Sequence, residues 1–171
     1  MPEASKKAAP QFANAVPEPG RYDTLLLDLD GTLVDTAPDL AWSLNRLLEE
    51  AGRPPLDAGQ VTRMVGDGAA KLVERGFAAT GAPVGGYLDR WLRRFLDIYG
   101  GHVAVESRPY AGVEEVLEAL RARGWRLAVC TNKPQAPSEA LLRATGLAGF
   151  IDEIVGGDRV LRKKPDRAHL L

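Results

Sequence analysis

The segment Leu25-Leu26-Leu27-Asp28-Leu29-Asp30 places two carboxylates, two residues apart, at the end of a leucine run. Three consecutive leucines predict a strand buried on both faces, over 25–30, of the kind found in a parallel sheet covered by helices. Such a strand does not end in paired anions without compensation. Asp28 and Asp30 repel each other and lose hydration unless a cation, or an anionic ligand bringing its own cation, sits there.

The rest of the chain supplies a sheet for that strand. From Ser107 onward the apolar period alternates between helix and strand: Val113, Val116, Leu117 and Leu120 make a helical stripe that stops at Gly124, and 125–130 is an all-apolar strand. Residues 137–145 read as a further helix stopped by Gly146, and 150–157 as a third strand. Strand, helix, strand, helix, strand is the pattern of a parallel α/β sheet. Between the first strand and this series, 36–106 reads as helical throughout. One helix begins at Thr36 as its cap with Pro38 and Asp39 in the first turn; a second spans 61–81, and a third carries Leu88, Trp91, Leu92, Phe95 and Tyr99 on one face. The helices interrupt the sheet after its first strand, so they form an insertion and not a consecutive domain.

Composition narrows the partners. Among 171 residues, 22 basic against 23 acidic side chains leave a net charge of −1, which gives no basic field for nucleic acid or an anionic membrane. Hydrophobic residues make up 45 %, enough for a packed core. The single cysteine, Cys130, makes no internal disulfide, and no CxxC or His/Cys cluster suggests zinc, so a reducing, cytoplasmic setting is expected. The first 21 residues, rich in Ala and Pro with Lys6 and Lys7 but no continuous apolar stretch, read as a disordered tail, neither signal peptide nor anchor.

Ligands of open parallel sheets bind at the carboxyl ends of the strands. Asp28 and Asp30, Thr131 and Asn132, and Gly156 to Asp158 fall there, with Lys163-Lys164-Pro165 close behind. Two acids, a hydroxyl, an amide and an ammonium suit a phosphoryl group beside a divalent metal. A carboxylate attacking a phosphate monoester meets anion–anion repulsion, which Mg²⁺ on oxygen ligands screens. Asp28 is placed to attack and form an aspartyl-phosphate. Asp30, on the same side by the period of two, can protonate the leaving oxygen and then deprotonate water. Gly31 allows a tight turn at the phosphate, Thr131 and Asn132 can hold phosphate or substrate oxygens, and a lysine of the 163–165 segment offsets transition-state charge.

These motifs, DLDGTLVDT, AVCTNKP and KKP in that order, resemble the haloacid dehalogenase superfamily of aspartate-nucleophile phosphatases, and 109–134 is similar to its phosphoglycolate phosphatase branch. The resemblance covers about 22–164. It implies a Rossmann-like parallel core over 22–35 and 107–171, with an all-helical cap over 36–106. It implies Asp28 as nucleophile and Mg²⁺ ligand, Asp30 as acid/base with its carbonyl on the metal, Thr131 on phosphate and Lys164 stabilising it. The implied substrate is a small phosphorylated metabolite, 2-phosphoglycolate first; a sugar-phosphate mutase and a non-catalytic protein are the alternatives. The family's fourth, acidic motif would follow another helix and strand, whereas the chain ends seven residues after Lys164. A truncated sequence or a lost metal ligand is therefore expected, with weak Mg²⁺ binding, little activity and an unpaired, self-associating sheet edge.

Other residues read as structural. Asp35 suits a helix start, Cys130 and Trp42, Trp91 and Trp125 the core, and Arg93 and Arg94 a solvated face. His102 and His169 have no partner at ligand spacing. Gly66 to Gly68 reads as a helix break that gates substrate, and Asp28–Asp30 lacks the spacing of a calcium loop.

Overall fold

Residues 16–170 are described by the structure, a computed structural model. In chain order the elements are β1 (Thr24–Leu27), β2 (Val34–Asp35), α1 (Ala37–Glu50), α2 (Ala58–Thr62), α3 (Ala69–Ala79), α4 (Leu88–Gly100), β3 (Arg108–Pro109), α5 (Val113–Ala122), β4 (Arg126–Cys130), α6 (Gln135–Ala144) and β5 (Glu153–Val155). Strands β1, β4 and β5 form a parallel sheet in the order β1-β4-β5, with Leu27 beside Val129 and Val129 beside Ile154. The mixed α/β class read from the sequence is the class of the structure.

The first strand is shorter and less buried than its leucines suggest. It ends at Leu27, and Leu26 is 52 % exposed while Leu25 and Leu27 are half-buried. Among the described residues β1 pairs only with β4, so it is an edge strand. The fully buried leucine of the motif is Leu29, beyond the strand, where it lies between the two aspartates and packs into the core.

Two apolar cores form. Leu29, Leu33, Leu117, Leu127, Val129, Leu141 and Leu142 pack between the sheet and its helices. Leu44, Leu47, Leu48, Val73, Phe77, Phe95 and Tyr99 pack among α1, α3 and α4. Val103 touches both. Fully buried leucines such as Leu44 and Leu47 are worth about 2–5 kcal/mol each against alanine. The stretch expected as one helix over 61–81 divides instead into α2 and α3, because Gly66 and Gly68 both hold positive φ between them. The capping signal at Asp57, with Gln60 three residues on, starts α2 as a complete capping box.

A two-residue antiparallel ladder, Val34 with Pro109 and Asp35 with Arg108, joins the chain where it leaves for the helices and where it returns. Strands this short carry no readable period. Thr36 precedes α1 but makes no side-chain cap; Asp35 does so instead, accepting a 3.2 Å bond from the Ala37 N–H.

Three expectations for aromatic and terminal residues need correction. Trp42 is not core: it is 47 % exposed and stacks at 3.7 Å on His102. Trp125 is partly buried and donates its indole N–H to the Pro17 carbonyl at 2.7 Å. Of the segment expected to be a tail, 1–15 lies outside the described residues, while Val16 is buried against the sheet core and Glu18 pairs with Arg123.

Candidate active site

Asp28 is the first residue beyond β1, and Asp30 follows across the buried Leu29, so both side chains face one cleft at the carboxyl edge of the sheet. Each acid has its own lysine. Asp28 Oδ1 accepts from the Leu29 N–H at 2.8 Å and faces the Lys164 ammonium at 2.9 Å. Asp30 Oδ1 faces the Lys133 ammonium at 3.0 Å. Two carboxylates and two ammoniums cancel, which is how the acidic strand end is tolerated without a ligand.

Lys164 is held from three sides. Its ammonium also donates to the Cys130 carbonyl at 2.8 Å, at the end of β4. Its backbone N–H donates to Nδ1 of buried His169 at 3.1 Å, and Nε2 of the same ring lies 3.3 Å from the Val155 carbonyl, at the end of β5. Nδ1 therefore accepts and Nε2 donates, the neutral tautomer that the two partners require. Cys130 is buried as expected, and burial pushes its thiol pKa up.

Lys133 is the functional candidate that the sequence reading passed over. It is 4 % exposed, and its ammonium sits 4.4 Å from the centre of the Tyr99 ring on α4. Burial works against its charge, but the Asp30 carboxylate together with the Tyr99 side chain outweighs burial and holds the lysine above its ordinary pKa. A lysine following two polar residues just past a buried strand was the available signal.

Thr131, 1 % exposed, lines the cleft and accepts the Lys133 N–H on Oγ1 at 3.2 Å. The Asn132 side-chain amide donates to the Gly66 carbonyl at 3.1 Å and the Lys164 carbonyl at 3.2 Å, while its buried Oδ1 has no hydrogen-bond partner among the described residues. Gly31 makes the turn after Asp30 at φ +78°, its N–H donating to the Val34 carbonyl, and is not part of the cleft wall.

The opposite wall comes from the turn between α2 and α3, with Val65, Gly66 and Gly68, and from α3 and α4, with Leu72, Phe95 and Tyr99. The cleft between these walls is narrow, with room for roughly two waters.

The donor set is hard oxygen. Among the described residues no group of three or more His, Cys, Asp or Glu converges on a point. The Asp28 carboxylate, 40 % exposed at the cleft, is a donor of the kind that suits Mg²⁺, which keeps several waters and is commonly held by one or two carboxylates with substrate phosphate. Two acids and two lysines leave no surplus charge for a phosphate dianion, which a divalent cation would supply.

The family model for haloacid dehalogenase-like hydrolases matches residues 25–171. The chain belongs to that family. It is 47 % identical over 148 residues to a phosphoglycolate phosphatase of Caulobacter vibrioides, covering 86 % of this chain and 62 % of that protein. It is 46 % identical over 151 residues to one of Rhodospirillum rubrum, covering 85 % and 63 %. The chain thus spans somewhat under two thirds of these relatives. A crystal structure of a predicted phosphoglycolate phosphatase from Haemophilus somnus superposes with a TM-score of 0.80 at 34 % identity, covering 88 % of this chain and 69 % of that one. As a haloacid dehalogenase-like hydrolase, the chain has the parallel core and the ordered motifs that its sequence led us to expect.

Proposed function

We propose that the chain presents the reacting groups of a Mg²⁺-dependent phosphomonoester hydrolase that works through an aspartyl-phosphate, with 2-phosphoglycolate the first substrate to test. The observation that carries this reading is Asp28: a carboxylate 40 % exposed, first after a parallel strand, at the cleft floor with an ammonium 2.9 Å away. The relatives' names support the substrate. On this reading residues 36–106 are a cap over a core formed by 22–35 and 107–171, and the single buried cysteine suits a reducing cytoplasm. No helix of the described residues is long and apolar enough to cross a membrane.

An Asp28 carboxylate oxygen attacks phosphorus, and the bond to the ester oxygen breaks. Asp30, entering this step in its protonated form, gives its proton to the departing alkoxide; Lys133 occupies its Oδ1, leaving Oδ2 to carry that proton. Asp30 then takes a proton from water, which attacks the aspartyl-phosphate, releasing phosphate and restoring Asp28. Thr131 holds a phosphoryl oxygen, and Lys164 balances its charge. Asn132 keeps the Gly66 segment against the site. Mg²⁺, held by the Asp28 carboxylate and the Asp30 carbonyl, would screen nucleophile from phosphate when bound.

Asp30→Asn tests the acid/base assignment. Hydrolysis of 2-phosphoglycolate in Mg²⁺ should fall by about 10²-fold or more. Turnover like that of the unsubstituted chain would contradict it.

A further inference from the structure

The sheet edge and the helices meet at one charged side chain. Lys133 is buried at 4 % exposure, reaches Asp30 at 3.0 Å and lies 4.4 Å from the Tyr99 ring centre. Tyr99 is itself 2 % exposed in the last turn of α4, stacked at 6.1 Å on Phe95 one turn earlier, and both rings line the cleft. An ammonium over an aromatic face is attracted by the ring quadrupole, and the attraction strengthens as water is excluded. At its own backbone Lys133 is fixed by the bond from its N–H to Thr131 Oγ1.

We infer that Lys133 is a positioning residue: tethered to Asp30 and covered by Tyr99, it sets the direction of the Asp30 carboxylate and makes that direction depend on α4 being seated over the sheet. The inference rests on the phosphatase reading for its catalytic consequence, but not for the coupling itself. A lysine that instead bound substrate phosphate would act on affinity. One that orients Asp30 acts on the chemical step, because misplacing a reacting group by about 1 Å can cost about 10²-fold in rate.

Four chains decide it: the unsubstituted protein, Lys133→Met, Asp30→Asn and the double variant, assayed with 2-phosphoglycolate in Mg²⁺. Lys133→Met should lower kcat by about 10²-fold with KM changed only a few-fold. In the Asp30→Asn background the same substitution should have little further effect, since residues acting as a unit are not additive. Lys133→Arg should recover part of kcat. Tyr99→Leu, which leaves every charge in place but removes the ring over the ammonium, should lower kcat in the same direction. A rise in KM with kcat unchanged, or equal effects of Lys133→Met in both backgrounds, would overturn the inference.

Urea unfolding of the same four chains reads the coupling without turnover. Lys133→Met should shift the midpoint less when residue 30 is Asn than when it is Asp, and equal shifts would overturn the coupling. If Asp28→Asn retains full hydrolysis, the phosphatase reading fails while this cycle still decides whether Lys133 and Asp30 act together.

Discussion

Asp39 and Ser107, 68 residues apart, are joined twice: the Ser107 N–H donates to Asp39 Oδ2 at 2.9 Å and its hydroxyl to the same oxygen at 2.6 Å. The Glu106 N–H donates to Oδ1 at 2.9 Å. Asp39, in the first turn of α1, is thereby locked to the chain returning from the helices, beside the β2–β3 ladder. The carboxylate is fully buried, and burial alone would raise its pKa. The Ser107 hydroxyl and the two N–H groups, with His102 nearby, outweigh burial and hold it below the usual carboxylate range.

A depressed folded pKa fixes the sign of the pH dependence. The contribution of Asp39 is complete above its unfolded pKa of about 3.9 and is lost as pH falls through the lower folded value. Asp39→Asn should cost about 1–3 kcal/mol near neutral pH, since it sets an amide against the donors that served a carboxylate. The stability gap between the two proteins should narrow below about pH 4. Urea titrations at neutral and acid pH measure it, and a gap independent of pH would contradict the assignment.

Where the helices meet the sheet, Gly68 has φ +87°, and a Cβ there would stand 2.9 Å from the Asn132 carbonyl. Gly68→Ala should destabilise by about 1–3 kcal/mol from the backbone alone, since φ +87° with ψ 169° is a conformation that essentially only glycine adopts. It should also push the Gly66 segment off Asn132 and raise KM for 2-phosphoglycolate. Thermal unfolding and steady-state kinetics check both, and an alanine variant as stable as the parent would show that the close approach is not held in solution.

His169 bridges Lys164 to the end of β5. Removing the ring in His169→Ala leaves the Lys164 N–H and the Val155 carbonyl without these partners, at a cost of about 1–3 kcal/mol. Hydrolysis should drop with it, because Lys164 loses its backbone anchor. An unchanged unfolding midpoint would show that the bridge contributes nothing.

The clustering of Asp28, Asp30 and Thr131 at one sheet edge was legible in the sequence because its signals are local. A leucine run ending in Asp28 and Asp30 marks a strand end by short-range pattern, and Thr131 follows an apolar strand in the same way. Lys133, His169 and Asp39 were not legible, because their roles consist of contacts across long stretches of chain: 103 residues separate Lys133 from Asp30, and 68 separate Asp39 from Ser107. Trp42 misled because hydrophobic size predicts burial only on average, and here the indole covers His102 from the solvent side. The tie from the Asn132 amide to the Gly66 carbonyl at 3.1 Å was not legible either, since it joins loops 66 residues apart in the chain.

The central claim is that Asp28 is the nucleophile, and hydrolysis of 2-phosphoglycolate by the purified chain and by Asp28→Asn across a Mg²⁺ titration tests it most directly. With only two protein oxygens proposed as ligands, the rate for the unsubstituted chain should still be rising through the millimolar range of Mg²⁺. Asp28→Asn should abolish hydrolysis at every concentration while its circular dichroism and unfolding midpoint show an intact fold, because an amide is neither a competent nucleophile nor a good Mg²⁺ ligand. Undiminished turnover by Asp28→Asn, or hydrolysis by the unsubstituted chain that does not depend on Mg²⁺, would contradict the account.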